Sequence, residues 1–111
     1  MANPNLLNAT SIYGKNVTVS ADGSENTILT CPTDKLIKII SITVHNVNAS
    51  NAYGIVKIND KTVAGGGSNN PPAGGQYTIG TFYLTESQTV KFNGSDSNVS
   101  CVISYEEIDD A

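Results

Sequence analysis

Three short stretches hold the residue types from which a reaction or a ligand site could be built. They are the lone histidine His45 beside Asn46, the run GGGSNNPPAGG from Gly65 to Gly75, and NGSDSN from Asn93 to Asn98. Nucleophilic catalysis needs a nucleophile, a base within hydrogen-bond reach and a group that orients the base. His45 offers a base, but it falls on the more polar face of a strand-like segment and reads as a rim histidine; no G-x-S-x-G elbow accompanies it. Glu106 and Glu107 are adjacent, so on a strand they point to opposite faces and cannot act as a carboxylate pair across a cleft. No catalytic residue is assigned.

A phosphate-cradling loop requires a strand before it and a helix after it, so that backbone amides and the helix N-terminus converge on the anion. In GGGSNNPPAGG, Pro71 and Pro72 remove two amides, and the following QYTIGTFYL is strand-like. The run reads as a loop joining two strands, with Asn69, Asn70, Pro71 and Pro72 at its centre as candidate partner contacts. NGSDSN has a single carboxylate, Asp96, where calcium sites use several, and reads as a hairpin loop. Cys31 and Cys101 form no metal motif with one histidine. Each lies in an apolar strand context and reads as a buried thiol behaving as a small hydrophobe. The alternative is a Cys31–Cys101 disulfide, against which a reducing cytoplasm argues. No metal or cofactor is expected.

Tyr53, Tyr77, Phe82 and Tyr83 could form a sugar-stacking platform, or could be half-buried strand residues whose rings cover core. A glycan-binding module for host attachment is therefore one alternative function.

The elements that position these residues are strands. In KLIKIISITVHNV, Lys35 to Val47, Leu36, Ile40, Ile42 and Val44 share one face, and Ile37 and Ile39 lead the other. That period of two, rich in β-branched residues, predicts a long strand. NVSCVISYE alternates Val99, Cys101, Ile103 and Tyr105 against Ser100 and Ser104. Further strands are predicted at Ser11–Ser20, Thr27–Cys31, Ala52–Ile58, Lys61–Val63, Gln76–Leu84 and Thr89–Phe92. Asn59-Asp60 is a two-residue hairpin turn, because both residues tolerate positive φ. Seven to eight strands at this spacing predict an all-β antiparallel β-sandwich, jelly-roll or immunoglobulin-like.

The 111 residues suit one such domain, 1–111, with residues 1–10 as an N-terminal arm and 106–111 as an acidic tail. Net charge is −4 and all six basic residues are lysines, so there is no bidentate guanidinium for phosphate and no basic stripe; nucleic acid is not an expected partner. No apolar run approaches the roughly 20 residues of a membrane-spanning helix, and no membrane partner is expected. The opening MANPNLLNATSIYGK lacks the pattern of a signal peptide, which points to synthesis in a cytoplasm.

Two ends of the chain carry a likeness. ANPNLLNATSIYGK (Ala2 to Lys15) and VISYEEI (Val102 to Ile108) resemble a family of small virion structural proteins of tailed phages, especially phages of marine cyanobacteria. KLIKIISITVHNVNASNA, VKINDKT and YLTESQTVKF match more loosely between them, and the chain departs from the family pattern at GGGSNNPPAGG and at both cysteines. The resemblance implies a non-enzymatic capsid decoration or cement protein with a β-sandwich body on the outer capsid surface. It also implies the major capsid protein as partner and self-association, a homotrimer being favoured. A neck or tail accessory protein is the alternative within the virion. In such a protein, Asn3, Pro4, Leu6 and Leu7 of the arm would dock in a neighbour's groove or add a strand to its edge.

Overall fold

A computed structural model describes residues 12–47, 52–65 and 74–109. The described residues form nine strands and no helix: β1 Ile12–Ser20, β2 Glu25–Thr30, β3 Lys35–Asn46, β4 Gly54–Ile58, β5 Lys61–Ala64, β6 Gln76–Ile79, β7 Phe82–Leu84, β8 Thr89–Gly94 and β9 Val99–Asp109. They build a β-sandwich of two antiparallel sheets. A five-stranded sheet runs β1-β9-β3-β6, with β7 also on β3, and a four-stranded sheet runs β2-β8-β4-β5.

The wiring follows from one turn. Asn59 and Asp60 take φ of 49° and 67°, the positive values of a primed hairpin, and the amide of Asn59 donates to the Thr89 carbonyl at 2.8 Å. Around this apex β4 pairs with β5, β3 with β6 and β7, β2 with β8, and β1 with β9. The chain is thus one long hairpin of two arms, wrapped so that β3 also meets β9 and β4 also meets β8. That is the jelly-roll arrangement, with β6 and β7 as two halves of one strand. An immunoglobulin-like sandwich orders its strands differently and is excluded.

The split between β6 and β7 has a local cause. Both halves pair with β3 in a single register, Ile42 opposite Ile79 and Ile39 opposite Phe82, and the Gly80-Thr81 step lies opposite Ile40 and Ser41. There β3 is bulged against β9, its register shifting between Ile39 and Ser41. The bulge exchanges the faces of β3. Ile37 and Ile39 point into the core before it, Ile42 and Val44 after it, and Ile40 is left 46% exposed. The alternation read from the sequence, with Leu36, Ile40, Ile42 and Val44 on one face, is corrected accordingly: Ile40 is outside, and Ile37 and Ile39 belong with Ile42.

The core lies between the sheets, from Ile37, Ile39, Ile42, Val44, Cys101 and Ile103 on one side to Leu29, Val56, Val90 and Phe92 on the other. The sheets close tightly where Gly54 and Gly94 stand opposite each other on β4 and β8. A Cβ on Gly54 would come within 2.6 Å of Val44 Cγ1, and one on Gly94 would run into Ala21. Only hydrogen fits at either position.

Candidate interaction surfaces

Asn3, Pro4, Leu6, Leu7, Asn69, Asn70, Pro71 and Pro72, the predicted contact residues, lie outside the described residues, as does the whole 1–10 arm. The loop that contains GGGSNNPPAGG leaves β5 in the four-stranded sheet and returns at β6 in the five-stranded one, so it crosses between sheets. The NGSDSN stretch is likewise a crossing and not a hairpin. Asn93 and Gly94 end β8, and the turn that follows delivers β9 to the other sheet. The Asp96 carboxylate accepts from the amide of Asn98 at 2.8 Å, which holds that corner. Among the described residues, no three His, Cys, Asp or Glu side chains are grouped to hold a metal.

The two thiols are free and buried. Cys31 donates to the Lys35 carbonyl at 3.3 Å and is near Ile37 and Glu107. Cys101 is six residues along β9 from Glu107, about 20 Å at the rise of a strand. A disulfide needs Cα atoms within about 7 Å, so the Cys31–Cys101 bridge is corrected to two separate thiols. Burial raises the pKa of both, that of Cys101 to about 12.

Tyr77, Phe82 and Tyr83 do not form a platform. Tyr77 and Phe82 pack against the core, while Tyr83, opposite Lys38 on the reverse face, is 54% exposed. Tyr77 donates its phenol proton to the Gly54 carbonyl at 2.6 Å, tying β6 to β4, and burial raises its pKa.

Residues 106–109, expected in an acidic tail, are instead the last turns of the pleat of β9. Glu107 pairs with Lys15 of β1 at 3.1 Å, and Asp109 pairs with Lys35 of β3. Glu106 stands opposite Lys38. The signal missed in the sequence was Ile108 after Tyr105, which is buried against Leu36 and extends the strand past the carboxylates.

The two outer faces differ in chemistry. On the four-stranded sheet, Lys57 and Lys91 stand side by side, the first paired with Glu25 at 2.7 Å and the second with Asp60 at 2.6 Å. On the five-stranded sheet, three successive cross-strand rows carry no charged group: Ser20, Ser100, His45 and Gln76; Thr18, Val102, Thr43 and Thr78; and Asn16, Ser104 and Ser41. His45 lies here among hydroxyls and amides, half-buried. The Thr43 and Thr78 hydroxyls share a hydrogen bond of 3.0 Å.

No protein-family model matches the chain, and no curated protein matches it. Among solved structures, it is similar to a chain in the acid-stable capsid of Helicobacter pylori bacteriophage KHP30, with a TM-score of 0.59 and 13% identity over 93% of this chain and 91% of that one. At that identity the likeness is one of fold. It extends over nearly the whole of both chains.

Proposed function

We propose that this chain is a structural protein of a tailed-phage virion, a non-enzymatic capsid decoration or cement protein that binds between subunits of the major capsid protein. The observation that carries this reading is the likeness of fold to a chain of a phage capsid over nearly the whole of both chains, not in one motif. The resemblance of ANPNLLNATSIYGK and VISYEEI to small virion proteins of phages of marine cyanobacteria points the same way.

The physics of the two faces supports it. Drying a lysine or carboxylate costs several kcal/mol unless it is paired again, whereas hydroxyls and amides exchange water for protein partners at modest cost. The three uncharged rows on the outer face of the five-stranded sheet, beside the Lys38–Glu106 row, are therefore the part suited to lie on the coat, with the Lys57, Lys91, Glu25 and Asp60 face turned to solvent. Self-association as a trimer at three-fold positions of the shell would multiply modest contacts into high avidity. Assembly takes place in the host cytoplasm, on the outer surface of the head.

Counting this chain against the major capsid protein in gradient-purified particles tests the reading. Copies in a fixed ratio to the coat protein are expected; a few copies per particle would move the assignment to the neck or tail.

A further inference from the structure

We propose that the free edge of β1 pairs with the same edge of a second copy of this chain, antiparallel about a two-fold axis through Asn16. A β edge presents unpaired amides and carbonyls, and proteins that must stay monomeric blunt it with proline, bulges, short strands or unpaired lysine. Three of the four described edges are blunted. β2 is bulged between Thr27 and Leu29, β5 has four residues and a bulge against β4, and β6–β7 is interrupted at Gly80-Thr81. β1 is different. Its nine residues pair with β9 from Ile12 to Ser20 without a register break, and it contains no proline. Its one lysine, Lys15, is held by Glu107 at 3.1 Å. The strand is exposed over most of its length, with Ile12 at 58% and Tyr13 at 52%, and among the described residues none pairs with its outer edge.

The sequence of β1 is complementary to itself. A two-fold axis perpendicular to the sheet pairs residues of the same face, which restricts the centre to a residue. Centred on Asn16, all nine positions find partners: Ile12 meets Ser20, Tyr13 meets Val19, Gly14 meets Thr18 and Lys15 meets Val17. Moving the centre to Lys15 would set two lysines directly opposite, which is destabilising, and moving it to Val17 would leave two residues of each strand unpaired. The Asn16-centred pair joins two five-stranded sheets into one of ten strands and continues the uncharged Asn16, Ser104 and Ser41 row from one copy into the next. In a shell, such a contact belongs at a two-fold position between neighbouring oligomers.

Asn16 is exposed, so it can be changed without touching the core. In the full chain, Asn16→Cys should give a disulfide-linked dimer on mild oxidation, while Lys61→Cys, exposed on β5, should give none under the same conditions. Asn16→Lys, which places like charges across the axis, should weaken self-association in sedimentation equilibrium at least tenfold with an unchanged circular dichroism spectrum. No crosslink at Asn16→Cys, equal crosslinking at Lys61→Cys, or an unaltered association for Asn16→Lys would each overturn the proposal. None of these readouts depends on the virion, so they stand or fall apart from the capsid reading.

Discussion

Tyr77 and Gly54 hold the two sheets together at one edge: the phenol of β6 donates to the carbonyl of β4 across 2.6 Å, with its ring against the core. Tyr77→Phe keeps the ring and removes the donor. It should lower stability by about 1–2 kcal/mol, the usual cost of leaving a partly buried carbonyl short of a partner. Urea unfolding should show a lower midpoint at unchanged slope; an unchanged midpoint would mean that the bond contributes nothing.

Asn59 sits at the apex of the long hairpin with φ of 49°. A β-branched side chain is strained there, so Asn59→Val should destabilise by about 1–2 kcal/mol. Every other strand pair is nested around this turn, so the folding rate should fall as well. Stopped-flow refolding checks this; an unchanged rate would show that the turn forms after the wrapped sheets.

Cys31 and Cys101 are buried, and burial holds both thiols above their ordinary pKa. Neither should react with a thiol reagent in the native protein at pH 8, and both should react in guanidinium chloride. Non-reducing mass spectrometry of the native chain should find two free thiols. Rapid native labelling of either would contradict the packing around it.

Asp60 is held below its ordinary pKa of 3.8 by a hydrogen bond and the charge of Lys91. Because the folded value is depressed, the unfolded chain binds more protons in the acid range. The pair therefore stabilises at and above about pH 4 and is lost as pH falls through the folded value. Asp60→Asn should melt below the parent at pH 7, with the gap narrowing as pH falls below 3.8 and shrinking in high salt because the pair is exposed. A gap that stays constant with pH would assign the loss to the turn and not to the charge.

The strands and the Asn59-Asp60 turn were legible because each is a local pattern: period-two alternation in one case, tolerance of positive φ in the other. Ile40 shows where that reading fails. A bulge inserts a residue without changing hydrophobicity, so the faces after it are inverted and only pairing with β9 reveals it. Glu106 to Asp109 show the opposite error. Carboxylates near a chain end look like a solvated tail until Lys15 and Lys35 on other strands are seen to meet them. The strand order itself depends on contacts between residues as far apart as Ile12 and Ile108, which no local window contains. The uncharged rows were missed for the same reason, since each is assembled from three or four strands.

A reconstruction of the assembled particle tests the central claim most directly. The account predicts a nine-stranded jelly-roll on the outside of the coat in regular register with the capsid subunits, the Thr18, Thr43 and Thr78 face towards the shell and Lys57 and Lys91 towards solvent. A map of complete particles with no density for this chain would contradict it.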